Sequence, residues 1–156
     1  MRSKLFRQMR NAVSHFVQQM DDLVEFKKVS KINCLAAIAI TFILMPLNTY
    51  YYRPFINSNA INDFGIAGSI NSYLACISIV FIHIYTAKLQ PSMTIVWATT
   101  LGYIIYECLQ PTLRLGIFDI SDVIAIILGG LTALALLLLN NRYCHQAQKE
   151  LPILKN

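Results

Sequence analysis

Charged side chains are scarce in this sequence. Asp, Glu, Lys and Arg supply 13 % of its 156 residues, against roughly 25 % in a soluble domain. That shortage excludes an ordinary water-soluble globule and a disordered polar chain alike. Cysteine is also sparse. Cys34, Cys76, Cys108 and Cys144 are far apart and form no C-x-x-C, so neither a zinc site nor a disulfide framework is indicated, and the thiols read as small apolar residues. Catalytic signatures are missing. The sequence has no phosphate loop, nucleophile elbow or H-E-x-x-H, and Thr99, Thr100 and Ser121 have no nearby base to activate them. His15, His83 and His145 are too scattered to form a metal set. No cofactor is implied.

Long apolar runs are what the sequence does have. A helix crosses a hydrocarbon core of roughly 30 Å with about 20 mostly apolar residues. Four stretches qualify: Ile32 to Tyr51, Ile66 to Tyr85, Met93 to Leu109 and Ile120 to Leu139, none with an interior Lys or Arg. They predict an all-α integral membrane four-helix bundle over residues 32–140. It is preceded by an amphipathic juxtamembrane segment (1–31) and followed by a cytoplasmic tail (141–156). The first run starts too late, is too long and lacks the A-x-A site of a cleaved secretory signal.

The net charge of +5 reads as topology rather than nucleic-acid binding. Eleven of the thirteen Lys and Arg residues lie in the N-terminal arm (Arg2, Lys4, Arg7, Arg10, Lys27, Lys28, Lys31), the second loop (Lys88) and the C-terminal tail (Arg142, Lys149, Lys155). Only Arg53 and Arg114 fall on the other side. The positive-inside rule then places both termini in the cytoplasm. Tyr50–Tyr52, Tyr85 and Trp97 fit headgroup-level anchors, and Pro46 predicts a kink in the first span.

Within the arm, Phe6, Met9, Val13, Phe16, Met20 and Leu23 are spaced alternately three and four residues apart. This keeps one apolar stripe on a helix, with Arg7, Arg10, Gln18, Asp21 and Asp22 on other faces. Two roles fit residues 6–23: a helix lying in the inner headgroup layer against membrane lipid, or a short coiled coil joining protomers or a cytosolic partner.

Polar residues gather between the third and fourth spans. Glu107 and Gln110 are three apart, as are Asp119 and Asp122, with Pro111, Arg114 and Gly116 between the pairs. Pro111 is expected to stop the third helix and Gly116 to allow the turn. Three roles fit these residues. Asp119 and Asp122 suit the cap and first turn of the fourth helix. Glu107 and Arg114 suit a structural ion pair. Glu107, Gln110, Arg114, Asp119 and Asp122 together suit a polar site for a cation, a lipid headgroup or a proton, because ionisable residues at membrane depth are functional candidates. Beyond them, Ala125, Gly129 and Ala133 form a small-xxx-small face. The third span or a second protomer is its expected neighbour. His83, Asn48, Asn71, Ser72, Ser78, Thr99 and Thr100 are expected to hydrogen-bond between helices.

The stretch from Tyr106 to Gly130 resembles the VanZ-like family of small membrane proteins. The likeness rests on Glu107-Cys-Leu-Gln110, Asp119-Ile-Ser-Asp122 and Gly129-Gly130, in that order and spacing. In family members an arginine commonly stands three residues before the first aspartate, whereas Arg114 is five before Asp119. The carry-over therefore reaches Glu107, Gln110, Asp119 and Asp122. The resemblance implies an integral protein of the bacterial inner membrane, in a family linked by name to glycopeptide-antibiotic resistance and without a settled molecular activity.

The leading expectation is a non-enzymatic envelope protein that binds a lipid headgroup or cation at the Glu107/Asp122 cluster. An oligomeric pore, built through the arm or the Ala125/Gly129/Ala133 face, is the second. A membrane enzyme acting on a lipid carrier is the third.

Overall fold

The structure is a computed structural model and describes residues 2–22, 26, 29–86, 91–114 and 116–150. Leu23, Lys27, Lys28, Lys88 and Lys155 lie outside the described residues, as do the side chains of Arg2, Lys4, Met9, Met20, Cys144, His145 and Lys149. Among the described residues all regular structure is helical: α1 (Arg2–Asp22), α2 (Lys31–Leu47), a π-turn (Asn48–Tyr52), α3 (Arg53–Ser58), α4 (Ile66–Thr86), α5 (Met93–Leu113) and α6 (Ile120–Glu150).

Local chemistry sets the helix starts. Ser30 Oγ accepts the Asn33 N–H at 3.1 Å and Ser92 Oγ accepts the Ile95 N–H at 3.2 Å, which satisfies donors that the first turn leaves unpaired. Asp63 does the same for α4, accepting from Gly65 N at 3.1 Å and Ala67 N at 2.6 Å. Asp119 Oδ1 accepts the Ser121 N–H at 2.8 Å where α6 begins.

Three expected boundaries move. The first apolar run does not end at Tyr51. Pro46 is absorbed, a π-turn follows it, and the helical path continues unbroken from Lys31 to Ser58. Pro111 does not stop α5, which continues to Leu113 and ends where Arg114 turns left-handed at φ 56°. Proline at 111 gives up the hydrogen bond to the Glu107 carbonyl and crowds that carbonyl, and α5 ends two residues later. Finally, α6 runs past Leu139 to Glu150. Its 31 residues span roughly 46 Å, more than a bilayer's hydrocarbon.

Among the described residues three helical stretches are long and apolar enough to cross a membrane: Lys31–Ser58, Ile66–Thr86 and Ile120–Tyr143. The fourth expected span, α5, is long enough, but Thr94, Thr99, Thr100, Glu107, Gln110 and Thr112 keep it less apolar than the others. The apolar surface points largely outward. Ile32, Ile40, Phe42, Ile43, Leu101, Ile105, Ile124 and Leu128 are all exposed, a belt far larger than a soluble monomer presents to water.

Interhelical pairs fix the directions of the helices. Asn33 Nδ2 reaches Asn140 Oδ1 at 3.4 Å, Thr41 meets Ser78 at 2.5 Å, and Asn48 Nδ2 meets Asn71 Oδ1 at 3.1 Å. Thus α2 runs antiparallel to both α4 and α6. Between α4 and α6 the pairs advance together: Ser72 bonds Asp122 at 3.0 Å, and Cys76 lies against Gly129. These two helices are therefore parallel. Against α6, α5 runs the other way, with Thr100 beside Gly130 and Glu107 near Asp122. Cys34, Ile77, Val80, Phe81, Ile84, Val96, Ala133 and Leu137 form the core, closed at one end by Phe26 and Val29 from the segment before α2.

Candidate functional site

Glu107 stands two turns before the end of α5, on the face turned toward α6. It is 5 % exposed, and its Oε2 has no hydrogen-bond partner. Gln110, one turn further along the same face, lies beside the Glu107 carboxyl, and Asp122 and Asp119 are the charges that act on it. Asp122 lies in the first turn of α6, where acids favour the helix N-terminus, and its Oδ1 accepts the Ser72 hydroxyl at 3.0 Å. Residues from three helices thus converge: Ser72 from α4, Glu107 and Gln110 from α5, and Asp119 and Asp122 from the start of α6.

The connecting loop folds back over this group. A Cβ at Gly116 would collide with Gln110 Oε1, so this glycine allows the loop to lie directly on the amide. On the other side, Gly65, at φ +84°, would place a Cβ 3.5 Å from Ser121 Oγ, so the turn before α4 packs against the same end of α6.

Arg114 does not join the cluster. It is exposed and is not among the groups acting on Glu107, so among the described residues the expected ion pair is not formed. Its contribution is conformational: its backbone N–H bonds back to Gln110 and Pro111 and ends α5. Ala125, Gly129 and Ala133 are all buried, but the neighbour of Gly129 is α4 rather than the expected α5. A Cβ there would lie 2.6 Å from the Tyr73 carbonyl oxygen. The helix in contact with α5 is met one residue later, where Gly130 abuts Thr100. His83 Nδ1 finds Thr99 Oγ1 at 3.3 Å.

Two roles were not foreseen from the sequence. Ser72 appears there only as one of several interhelical hydroxyls, yet it is the group that holds Asp122. Asp21, at the end of the basic arm, accepts from Thr94 N at 3.0 Å and Thr94 Oγ1 at 2.9 Å, so it caps α5 jointly with Ser92. The paired acids at the end of an otherwise basic segment were the available signal.

No known protein family, curated protein or solved structure matches this chain.

Chemically, the cluster offers oxygens and no cation. A buried carboxyl oxygen without a partner is costly, and two further carboxylates nearby raise the electrostatic demand for positive charge. Among the described residues no three His, Cys, Asp or Glu side chains are placed to hold a metal ion together. The geometry therefore suits a proton, a singly charged cation or an ammonium group better than a closed multidentate metal cage. Ser72 donates its hydroxyl hydrogen to Asp122 and so orients that carboxylate.

Proposed function

We propose that this chain is an integral membrane protein of the bacterial inner membrane that holds a cation, or the cationic headgroup of a lipid, at the Glu107/Asp122 cluster, without catalysing a reaction. The observation that carries this reading is the Glu107 oxygen, buried and unpartnered within the influence of Asp122 and Asp119. The VanZ-like resemblance adds support, because Glu107, Gln110, Asp119 and Asp122, the residues it carries over, converge in space.

The same reading takes α5 as a fourth span. Since α4 and α6 are parallel, the chain must return across the full thickness of the molecule between them, and among the described residues α5 is the only element available to do it. Four crossings put α1 and the end of α6 on one side, which agrees with eleven of thirteen basic residues lying there. The cluster then sits at the extracytoplasmic edge.

The test uses full-length protein in a neutral maltoside detergent, whose headgroup carries no cation, with thermal unfolding followed as potassium chloride, calcium chloride or phosphatidylethanolamine is added. At least one of these raises the unfolding temperature; a hundredfold excess over Kd corresponds to about 2.7 kcal/mol. In Glu107→Gln and Asp122→Asn the rise disappears. If no addition stabilises the wild-type protein, or the variants respond equally, the site does not bind a cation. If Glu107→Gln merely lowers the yield of folded protein, the cluster is structural.

A further inference from the structure

Helix α1 carries an apolar stripe that the rest of the chain leaves uncovered. Phe6, Val13 and Phe16 are 74 %, 60 % and 62 % exposed, and at about 100° per residue they fall within roughly 80° of one another. The charges around this stripe have one sign. Between residues 2 and 20 the ionised side chains other than His15 are Arg2, Lys4, Arg7 and Arg10, and the first acids are Asp21 and Asp22. Asp21 is turned inward, its carboxylate taken up by Thr94 at the start of α5. Asp22 lies about 160° round the helix from Phe6.

The root of the arm is fixed. Phe26 and Val29 are buried in the core beside Cys34, Val96 and Leu137. That is the end of the molecule where Lys31 and Arg142 also lie, marked by the Asn33–Asn140 bond. The arm therefore starts at the basic end of the spans with its apolar face uncovered.

We propose that α1 docks lengthwise on the anionic lipid headgroups of the leaflet at this basic end. The stripe enters the acyl boundary and Arg7 and Arg10 meet lipid phosphates. Charge complementarity selects lipid over a second copy of the chain. A pair of α1 helices joined through the stripe would bring their cations together, with no acid in residues 2–20 to pair with them. This inference is independent of the Glu107 cluster.

A tryptophan reporter tests it in full-length protein. The background is Trp97→Phe, which removes the one native tryptophan, whose buried Nε1 has no partner. Phe16→Trp, Phe6→Trp and, on the opposite face, Asn11→Trp are reconstituted in brominated phosphatidylcholine with and without phosphatidylglycerol. The stripe reporters are expected to be quenched, more strongly with phosphatidylglycerol, while Asn11→Trp is not. Neutralising Arg7 and Arg10 with Gln lowers the docking constant about 25-fold, and high salt acts in the same direction. Should Trp97→Phe fold poorly, spin-label accessibility at Val13→Cys reads the same docking in the native-tryptophan chain. Equal quenching on both faces, or none, overturns the proposal. Shielding without quenching that is indifferent to lipid charge and accompanied by cross-linked dimers overturns it in favour of a second copy.

Discussion

Arg114 shows what a single residue does when its charge is not used. It holds φ 56° at the end of α5, a conformation that glycine adopts without penalty and that costs another residue roughly 1–2 kcal/mol. Arg114→Gly is therefore expected to raise stability by about 1 kcal/mol in thermal unfolding and to leave cation- or lipid-dependent stabilisation intact. Loss of that stabilisation would show that the guanidinium serves the ligand after all. The sequence made Arg114 look like a partner for Glu107 because nothing in a bare sequence marks a left-handed arginine. Glu107, Asp119 and Asp122 were legible for the opposite reason: in a chain with so few charges, any acid beside a span stands out, and Gln110 was legible by its three-residue spacing from Glu107. Ser72 was not legible, since hydroxyls are common in such helices and its partner lies fifty residues away.

At the level of elements, α6 is placed by two adjacent glycines that meet different neighbours, Gly129 the Tyr73 carbonyl of α4 and Gly130 the Thr100 side chain of α5. Gly129→Val overpacks the first contact against backbone, which cannot rotate away. A loss of about 1–3 kcal/mol is expected, with Ser72 and Asp122 driven apart. Thermal unfolding of the detergent-solubilised variant measures the loss, and unchanged stability would mean that the two helices separate freely. The small-residue face itself was visible in the sequence, but its neighbour was not, because spacing defines a face and says nothing about which helix covers it. Asp21 is the other element-level joint. Asp21→Ala removes the Thr94 cap and is expected to cost about 0.5–2 kcal/mol. Protease cleavage between α1 and α2 should accelerate at the same time; a cleavage rate equal to wild type would show that Phe26 and Val29 alone hold the arm.

For the whole molecule, the decisive quantity is the number of crossings. Among the described residues three helices are apolar enough by length and composition, and the parallel course of α4 and α6 demands a return path between them. Single cysteines at Asn62 and Phe118, in a background without native cysteines, are expected to react with an impermeant maleimide from outside intact cells. Cysteines at His15 and Tyr143 should react only after permeabilisation. Labelling of Phe118→Cys from the cytosolic side alone would leave α5 outside the bilayer and invert the placement of the acids. The all-helical character was readable from apolar run length, whereas the continuation of α2 into α3 and of α6 to Glu150 was not. Beyond the apolar edge, helix length is set by caps and packing that the hydropathy pattern does not record.

The π-turn at Asn48–Tyr52 has a consequence for phase. Cys34, Thr41 and Asn48 are buried at seven-residue intervals and keep a single seam facing inward, but the next buried position on this path, Ile56, comes eight residues later. On an uninterrupted α-helix that extra residue would swing Ile56 about 80° out of line. The wider winding takes up roughly one residue's rotation, so Ile56 returns to the seam and the strand of contacts along α4 is not lost. The insertion works as a phase corrector: the chain carries one residue more than its periodicity allows and still keeps its inner edge straight.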